Sequence, residues 1–188
     1  MCAGVTVFAP LKQGGVKPGD RVGVVGIGGL GHLAIQFIRA LGATPIAFSR
    51  SANKEQEIRA LGAEEFYNLS DEADQKKAAN SVDCLILTAD ANNMPYNLYL
   101  SLVRKRGSFI MVGLPNDDVK FSPFFIVPRA VHVRGSCIGS IQDIKEMLEL
   151  ASKKNVRPII QKLPMSKANE GLNMVRDGSV RYRVVLEN

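Results

Sequence analysis

The segment VGVVGIGGLGHLAI, residues 22–35, constrains the fold more than any other part of the sequence. Small β-branched residues pass into glycines and then into apolar residues at helical spacing, which predicts a strand, a tight turn and a helix. Gly26, Gly28 and Gly31 fit the pattern G-x-G-x-x-G, and Gly29 lies among them. In that pattern the glycines allow the turn, the approach of a pyrophosphate and the packing of helix on strand. The segment therefore predicts a dinucleotide-binding loop.

Two other interpretations of this loop stay open. It could be a purely structural glycine turn, or the loop of a methyltransferase, which would want an acidic residue at the end of the second strand to hold ribose hydroxyls. His32 follows the last glycine directly. Because a lone histidine at this position is typically partly exposed and inert, we assign it no catalytic role.

The end of the second predicted strand, FSRSANK, indicates which dinucleotide binds. An NAD enzyme usually places Asp or Glu there, about 20 residues after the loop, to hold the ribose 2′-hydroxyl. Here Ser49 occupies that position, 18 residues after Gly31, and Arg50, Ser51 and Lys54 follow it. Hydroxyls and cations suit a 2′-phosphate, which a carboxylate would repel. The segment predicts NADP(H); a polar loop with ordinary surface charges is the alternative.

The remaining sequence alternates between short apolar strands and helices, which predicts parallel βαβ units. We expect an α/β fold with a doubly wound parallel sheet (Rossmann) of about six strands. MPYNLYLSLVRKRG predicts a helix that ends at Gly107, and HVRGSCIGS predicts the sixth strand. The chain after residue 154 predicts a further strand, helix and strand. We assign residues 1–154 to a cofactor-binding domain with a leading helix, and residues 155–188 to a second domain.

Composition excludes several classes of protein. Hydrophobic residues make up 46% and charged residues 22% of the 188, as in globular domains. No apolar run reaches membrane-span length and the N-terminus lacks signal-peptide features, so we expect a cytoplasmic protein without a membrane partner. Cysteines 2, 84 and 137 are too far apart for a zinc knuckle. The net charge of +6 lies mostly in the second half, but its basic residues are scattered without interleaved aromatics, which argues against a nucleic-acid partner.

Several segments in the same order resemble the cinnamyl-alcohol-dehydrogenase type of zinc-dependent medium-chain alcohol dehydrogenases: CAGVTVFAPL, VGVVGIGGLGHLAIQF, FSRSANK, IMVGLP, GSCIGS and DGSVRYRVVLEN. The resemblance runs over nearly the whole chain. It implies an NADP-binding domain, followed by a strand, helix and strand that return to the catalytic domain. The implied reaction is hydride transfer between an alcohol or aldehyde and NADP(H), with a catalytic zinc polarising the oxygen.

The resemblance also implies roles for single residues. Cys2 corresponds to one zinc ligand. The implied cofactor contacts are Thr6 and Leu30 near the nicotinamide, Thr88 and Ala89 beside the adenosine, Val112, Gly113 and Leu114 under the nicotinamide ribose, Ser136, Ile138 and Gly139 at the carboxamide, and Arg183 at the pyrophosphate. Arg181 is close enough in sequence to be confused with Arg183. Cys137 stands where a phenylalanine is common.

In the family it resembles, the other zinc ligands belong to an N-terminal domain that this sequence does not contain. We therefore expect about half of such an enzyme, with no stoichiometric zinc and no turnover of its own. Its substrate would be a small-molecule alcohol or aldehyde in a full-length enzyme, and the sixth-strand region implies a homodimer. The alternative is a free-standing NADP(H)-binding or regulatory module without catalysis.

Overall fold

The computed structural model describes residues 1–188, which form two compact units, Met1–Val156 and Arg157–Asn188. The first unit contains a six-stranded sheet and the second a two-stranded sheet. None of the helices combines the length and the apolar character needed to span a membrane.

The sheet of the first unit is entirely parallel. Its strands are β1 (Arg21–Val25), β2 (Thr44–Ser49), β3 (Glu65–Asn68), β4 (Val82–Leu87), β5 (Val103–Met111) and β6 (His132–Gly135). They pair in the order β3-β2-β1-β4-β5-β6. This is the order of a doubly wound dinucleotide-binding fold, so the predicted fold class is confirmed.

Helices cover the sheet: α1 (Cys2–Gln13), α2 (Gly31–Ala40), α3 (Glu55–Ala60), α4 (Glu72–Ala78), α5 (Tyr96–Leu102) and α6 (Ile141–Lys154). The leading helix α1 packs on both α2 and α6. The rings of Phe8 and Phe37 join α1 to α2 with their centroids 5.6 Å apart. Because both faces of the sheet are covered, central strands such as β4 are apolar without alternation.

The fifth strand begins earlier than the sequence pattern suggests. The predicted helix to Gly107 is wrong, because α5 ends at Leu102 and Val103 already belongs to β5. Val103 is fully buried and pairs with Val82 of β4. The charged residues that follow it look helical in sequence, but Arg104 forms an ion pair with Asp83 of the neighbouring strand. Pairing with β4 therefore overrides the local preference.

The second unit consists of β7 (Ile160–Pro164), α7 (Ala168–Arg176) and β8 (Arg183–Glu187). The two strands pair in parallel, as a right-handed crossover through a helix would allow. A Cβ added at Gly171 of the helix would lie 3.1 Å from Val184 Cγ1, so the helix packs closely on the sheet. The predicted strand, helix and strand are confirmed, while their membership of a catalytic domain stays a prediction.

All six parallel strands of the first unit end at one edge of the sheet. The strand order reverses between β1 and β4, and the crevice that this leaves outside the carboxyl ends is where such folds bind ligands. The glycine loop follows β1, Ser49 ends β2, and Thr88 follows β4. The topology therefore brings residues that are far apart in sequence to the same crevice.

Candidate functional site

The glycines of the loop after β1 serve three different purposes. Gly26 has φ +92°, and a Cβ added there would lie 2.8 Å from the Cβ of Ala89. At Gly31 an added Cβ would collide with the carbonyl oxygen of Gly26, so α2 can approach β1 only without a side chain. At Gly28 no atom lies within 4 Å of the Cβ position. The loop is therefore tightly packed at Gly26 and Gly31 and open at Gly28.

Backbone donors surround the open side of this loop. The N–H groups of Leu30 and Gly31, at the start of the ten-residue helix α2, have no acceptor within the chain. Such groups carry the partial positive charge of a helix N-terminus, which favours anions. These N–H groups can therefore bind a phosphate group in the open space next to Gly28.

Two hydrogen bonds hold the Gly26 carbonyl group of the loop. The Thr88 hydroxyl donates to the carbonyl oxygen of Gly26, and Gly28 N–H donates to the same oxygen at 3.1 Å. The place of Thr88 beside the adenosine stays a prediction; in the structure its hydroxyl holds the loop, while Ala89 lines the neighbouring cavity. His32 is fully buried, so the expectation of a partly exposed histidine is wrong. It lies on the inward face of the first turn of α2, beneath the loop.

A cavity of about 220 Å³ lies beside the loop, between the ends of β2 and β4. All four residues predicted to select NADP(H) line it, together with Gly26. The opposite wall follows β4, and of its residues only Ala89 was predicted. The lining residues are Val25, Gly26, Ile27, Phe48, Ser49, Arg50, Ser51, Lys54, Ile58, Leu69, Ala89, Ala91, Asn92, Asn93, Met94, Pro95 and Tyr99. The position of that wall after β4, at the reversal of strand order, was the signal that could have identified it.

The charges of this cavity are positive and unneutralised. No carboxylate lies within ion-pair distance of Arg50 or Lys54, and the adjacent Glu55 pairs with Arg59 at 2.8 Å. Burial raises the pKa of the Tyr99 phenol, and the nearby positive charge of Arg50 acts on that pKa in the opposite direction. Two cations without a counter-ion at the edge of a polar cavity form a site for an anion.

The backbone around these cations is held in place. Leu69 N–H donates to the Ser49 carbonyl at 2.7 Å, and the Ser70 hydroxyl donates to the Arg50 carbonyl at 2.7 Å. The Ser51 hydroxyl donates to the Asn53 side chain at 2.7 Å, and Ser51 N–H reaches the Ser49 hydroxyl oxygen at 3.4 Å. The Ser49 hydroxyl is therefore in place to donate its hydrogen to a ligand.

A second, largely apolar cavity of about 550 Å³ follows β5 and β6. Among its lining residues are four of those expected near the nicotinamide, namely Val112, Gly113, Leu114 and Ser136, and also Cys137. A Cβ at Gly113 would collide with the Ala89 carbonyl, so this loop packs against the residue that also contacts Gly26. The two cavities thus share Ala89 as a structural support.

The segment after β6 has a strained backbone. Ile138 has φ +60°, which is rare for a β-branched residue, and its side chain is 49% exposed. A Cβ at the next residue, Gly139, would lie 2.6 Å from Val5 Cγ2 of α1. The sixth strand therefore ends at Gly135, earlier than predicted, because the chain turns sharply towards α1. Strain of this kind is concentrated at functional sites.

The residues at the start of α1 do not form a metal site. Cys2 is exposed, and Thr6 is buried and donates its hydroxyl hydrogen to the Cys2 carbonyl at 2.8 Å. No group of three or more His, Cys, Asp or Glu side chains lies where it could hold a metal ion. The residues present therefore do not fit a zinc centre, which needs three protein ligands. Thr6 lines neither cavity, and the predicted pyrophosphate contact of Arg183, in the second unit, stays a prediction.

Residues 29–153 match the family described as zinc-binding dehydrogenase. Over its whole length the chain is 37% identical to the probable formaldehyde dehydrogenase AdhA of Bacillus subtilis, of which it covers 53%. It is also 37% identical to cinnamyl alcohol dehydrogenase 7 of Oryza sativa, of which it covers 50%. A 34% identical relative from Mycolicibacterium smegmatis is named NADP-dependent alcohol dehydrogenase C 1. The chain spans about half the length of the curated relatives it matches.

Solved structures of cinnamyl alcohol dehydrogenases superimpose closely on the chain. The enzyme from Sorghum bicolor gives a TM-score of 0.93 at 34% identity, over 98% of this chain and 53% of that one. The enzyme from Helicobacter pylori, solved in complex with NADP(H), gives 0.85 at 30% identity, over 98% and 52%. In both cases the match covers about half of the solved chain.

The different packing of the loop glycines predicts different effects of substitution. Gly26→Ala places a Cβ against Ala89 at a positive φ, and should lower the free energy of unfolding by about 1–3 kcal/mol. Gly28→Ala meets no atom and should leave it within about 0.5 kcal/mol of the native value. Urea unfolding of the two variants measures the difference. Equal losses would contradict the separate roles of the two glycines.

Proposed function

This chain belongs to the zinc-binding dehydrogenase family, and we propose that its first unit is the NADP(H)-binding half of a zinc-dependent alcohol or aldehyde oxidoreductase. The observation that carries the proposal is the anion site at the end of β2, where Arg50 and Lys54 have no counter-ion and Ser49 replaces an acid. The NADP(H) complex of the Helicobacter pylori relative supports the same cofactor. In a whole protein the substrate would be a small-molecule alcohol or aldehyde.

The proposed binding mode divides the cofactor between the two cavities. The pyrophosphate lies against Gly28 and Gly29 and accepts hydrogen bonds from the N–H groups of Leu30 and Gly31 at the start of α2. The 2′-phosphate accepts hydrogen bonds from Ser49, Arg50 and Lys54, and from Ser51 when its hydroxyl turns from Asn53 to the ligand. The nicotinamide end occupies the apolar cavity, near the expected contacts Thr6, Leu30, Val112, Gly113, Leu114, Ser136, Ile138 and Gly139.

The task of this chain in the proposal is to bind and orient the cofactor. The bound cofactor supplies the hydride chemistry, and the protein orients it. The strained segment at Ile138 and the loop at Gly113 would direct the ring through backbone groups, so Cys137 in place of a phenylalanine costs little. Water is excluded from the ring by the apolar walls of the cavity.

We predict that the chain binds NADP(H) about 10–100-fold more tightly than NAD(H), since one or two charge-assisted hydrogen bonds to the 2′-phosphate are worth roughly that much after solvent screening. Ser49→Asp should remove most of the preference, because its carboxylate repels the phosphate. Lys54→Ala should remove part of it. The measurement is calorimetric titration of both cofactors, at low and at raised salt, and salt should shrink the preference.

Lys76→Ala is the matched control for this titration. It removes the same charge from an exposed position on α4 that does not line the cavity, so the preference should persist. Equal affinities of the native chain for the two cofactors, or tighter binding of NAD(H), would refute the roles given to the residues at the end of β2.

We further propose that the chain alone holds no stoichiometric zinc and catalyses no turnover, with Cys2 serving as a ligand only in a full-length enzyme. Cys2 has no neighbouring ligands with which to complete a tetrahedral site. Metal analysis after dialysis, with Cys2→Ser as control, and an NADPH oxidation assay on an aldehyde panel test this. One zinc per native chain, absent from the variant, or clear turnover would disprove it.

A homodimer is part of the same proposal. Strand β6 is at an edge of the sheet, so one side of it carries unpaired backbone groups, and edges of this kind pair readily with a second copy. Exposed apolar side chains nearby in sequence, Val127, Ile138 and Ile141, add to this surface. Light scattering at micromolar concentration should give twice the chain mass of 20.4 kDa. A clean monomer would count against the dimer.

A further inference from the structure

His32 is a buried imidazole that the proposed cofactor contacts do not use. It is 0% exposed and stands in the first turn of α2. Its Nδ1 lies 3.0 Å from the carbonyl oxygen of Gly28, and its backbone N–H donates to the same oxygen at 3.1 Å. Because a carbonyl oxygen can only accept, Nδ1 must carry the hydrogen of this contact.

The orientation of this carbonyl matters for binding an anion. Glycine peptides rotate easily, and Gly28 and Gly29 are adjacent in the loop. A Gly28 carbonyl turned outward would present its negative end to a phosphate. Turned inward, it leaves the N–H groups of Leu30 and Gly31 available to the phosphate. Thr88 already holds the Gly26 carbonyl, so a bond from the His32 side chain to the Gly28 carbonyl would fix the orientation of a second peptide of the loop.

We propose that His32 is a positioning residue for the phosphate-binding loop. Its Nδ1–H holds the Gly28 carbonyl on the protein side, so that the N–H groups of Leu30 and Gly31 face the pyrophosphate before the cofactor arrives. The inference rests on the proposed NADP(H) function. A charged ring is disfavoured in a buried position at a helix N-terminus, so His32 acts through the direction of its hydrogen bond and not through charge.

Two substitutions separate this role from simple packing. His32→Leu keeps a side chain of similar bulk without a donor, and His32→Asn places an amide N–H at the position of Nδ1. The ligands are NADP⁺, which contains the pyrophosphate, and 2′-AMP, which contains only the adenosine and its 2′-phosphate. Both affinities are measured by calorimetry on the full chain, with thermal unfolding recorded for each variant.

We expect His32→Leu to weaken NADP⁺ binding about 3- to 10-fold, as the loss of one directing hydrogen bond predicts, and to change 2′-AMP binding less than about twofold. His32→Asn should restore NADP⁺ binding to within about twofold of the native chain. Unchanged NADP⁺ binding in His32→Leu, or equal losses for both ligands in both variants, would overturn the role of His32. A native chain that binds neither ligand would instead refute the cofactor function.

The tautomer gives a test that needs no cofactor. Nitrogen-15 NMR of the imidazole rings should show His32 with its hydrogen on Nδ1. The chain has two histidines, and His132→Gln, at an exposed position on β6, assigns the signals. A hydrogen on Nε2 with a bare Nδ1 would overturn the proposed bond even if the cofactor binds. The Nδ1–H tautomer in the free chain supports a loop that is oriented in advance.

Discussion

The close contact between α2 and β1 is the constraint on which the site depends. At Gly31 the helix lies so near the Gly26 carbonyl that no side chain fits between them. This contact places the N-terminus of α2, with its unpaired N–H groups, at the mouth of the crevice. Any larger residue would tilt or shift the helix, and the donors at Leu30 and Gly31 would then point elsewhere. The packing of α2 on β1 therefore sets the position of the N–H groups that can bind an anion.

The same constraint extends across the crevice through Ala89. A Cβ at Gly26 would touch Ala89, and a Cβ at Gly113 would collide with the Ala89 carbonyl. The loops after β1, β4 and β5 are thus packed closely against one another around Ala89. Since the two cavities lie on either side of this contact, their separation is a property of the backbone.

Local features of the site could be predicted from the sequence and long-range ones could not. The glycine loop and the polar end of β2 are contiguous patterns with their own spacing, and the structure brings Ser49 and Gly26 into one cavity. The wall formed by Met94 and Tyr99 depends on where β4 lies in the sheet, which no local pattern encodes. The burial of His32 and the direction of the Thr88 hydroxyl likewise depend on neighbours distant in sequence.

The N–H groups at the start of α2 and the side chains at the end of β2 differ in whether they can distinguish NAD from NADP. In the proposed binding mode, the N–H groups at the start of α2 contact the pyrophosphate that NAD and NADP share, so they supply affinity for both and selectivity for neither. In that mode, discrimination falls to the residues at the end of β2, where Arg50 and Lys54 lack a counter-ion. These side chains belong to a separate βα loop, bonded through Leu69 and Ser70 and not through the glycine loop. Cofactor preference in this fold can therefore change by substitution at one loop while the shared phosphate site, and the helix packing that creates it, stay as they are.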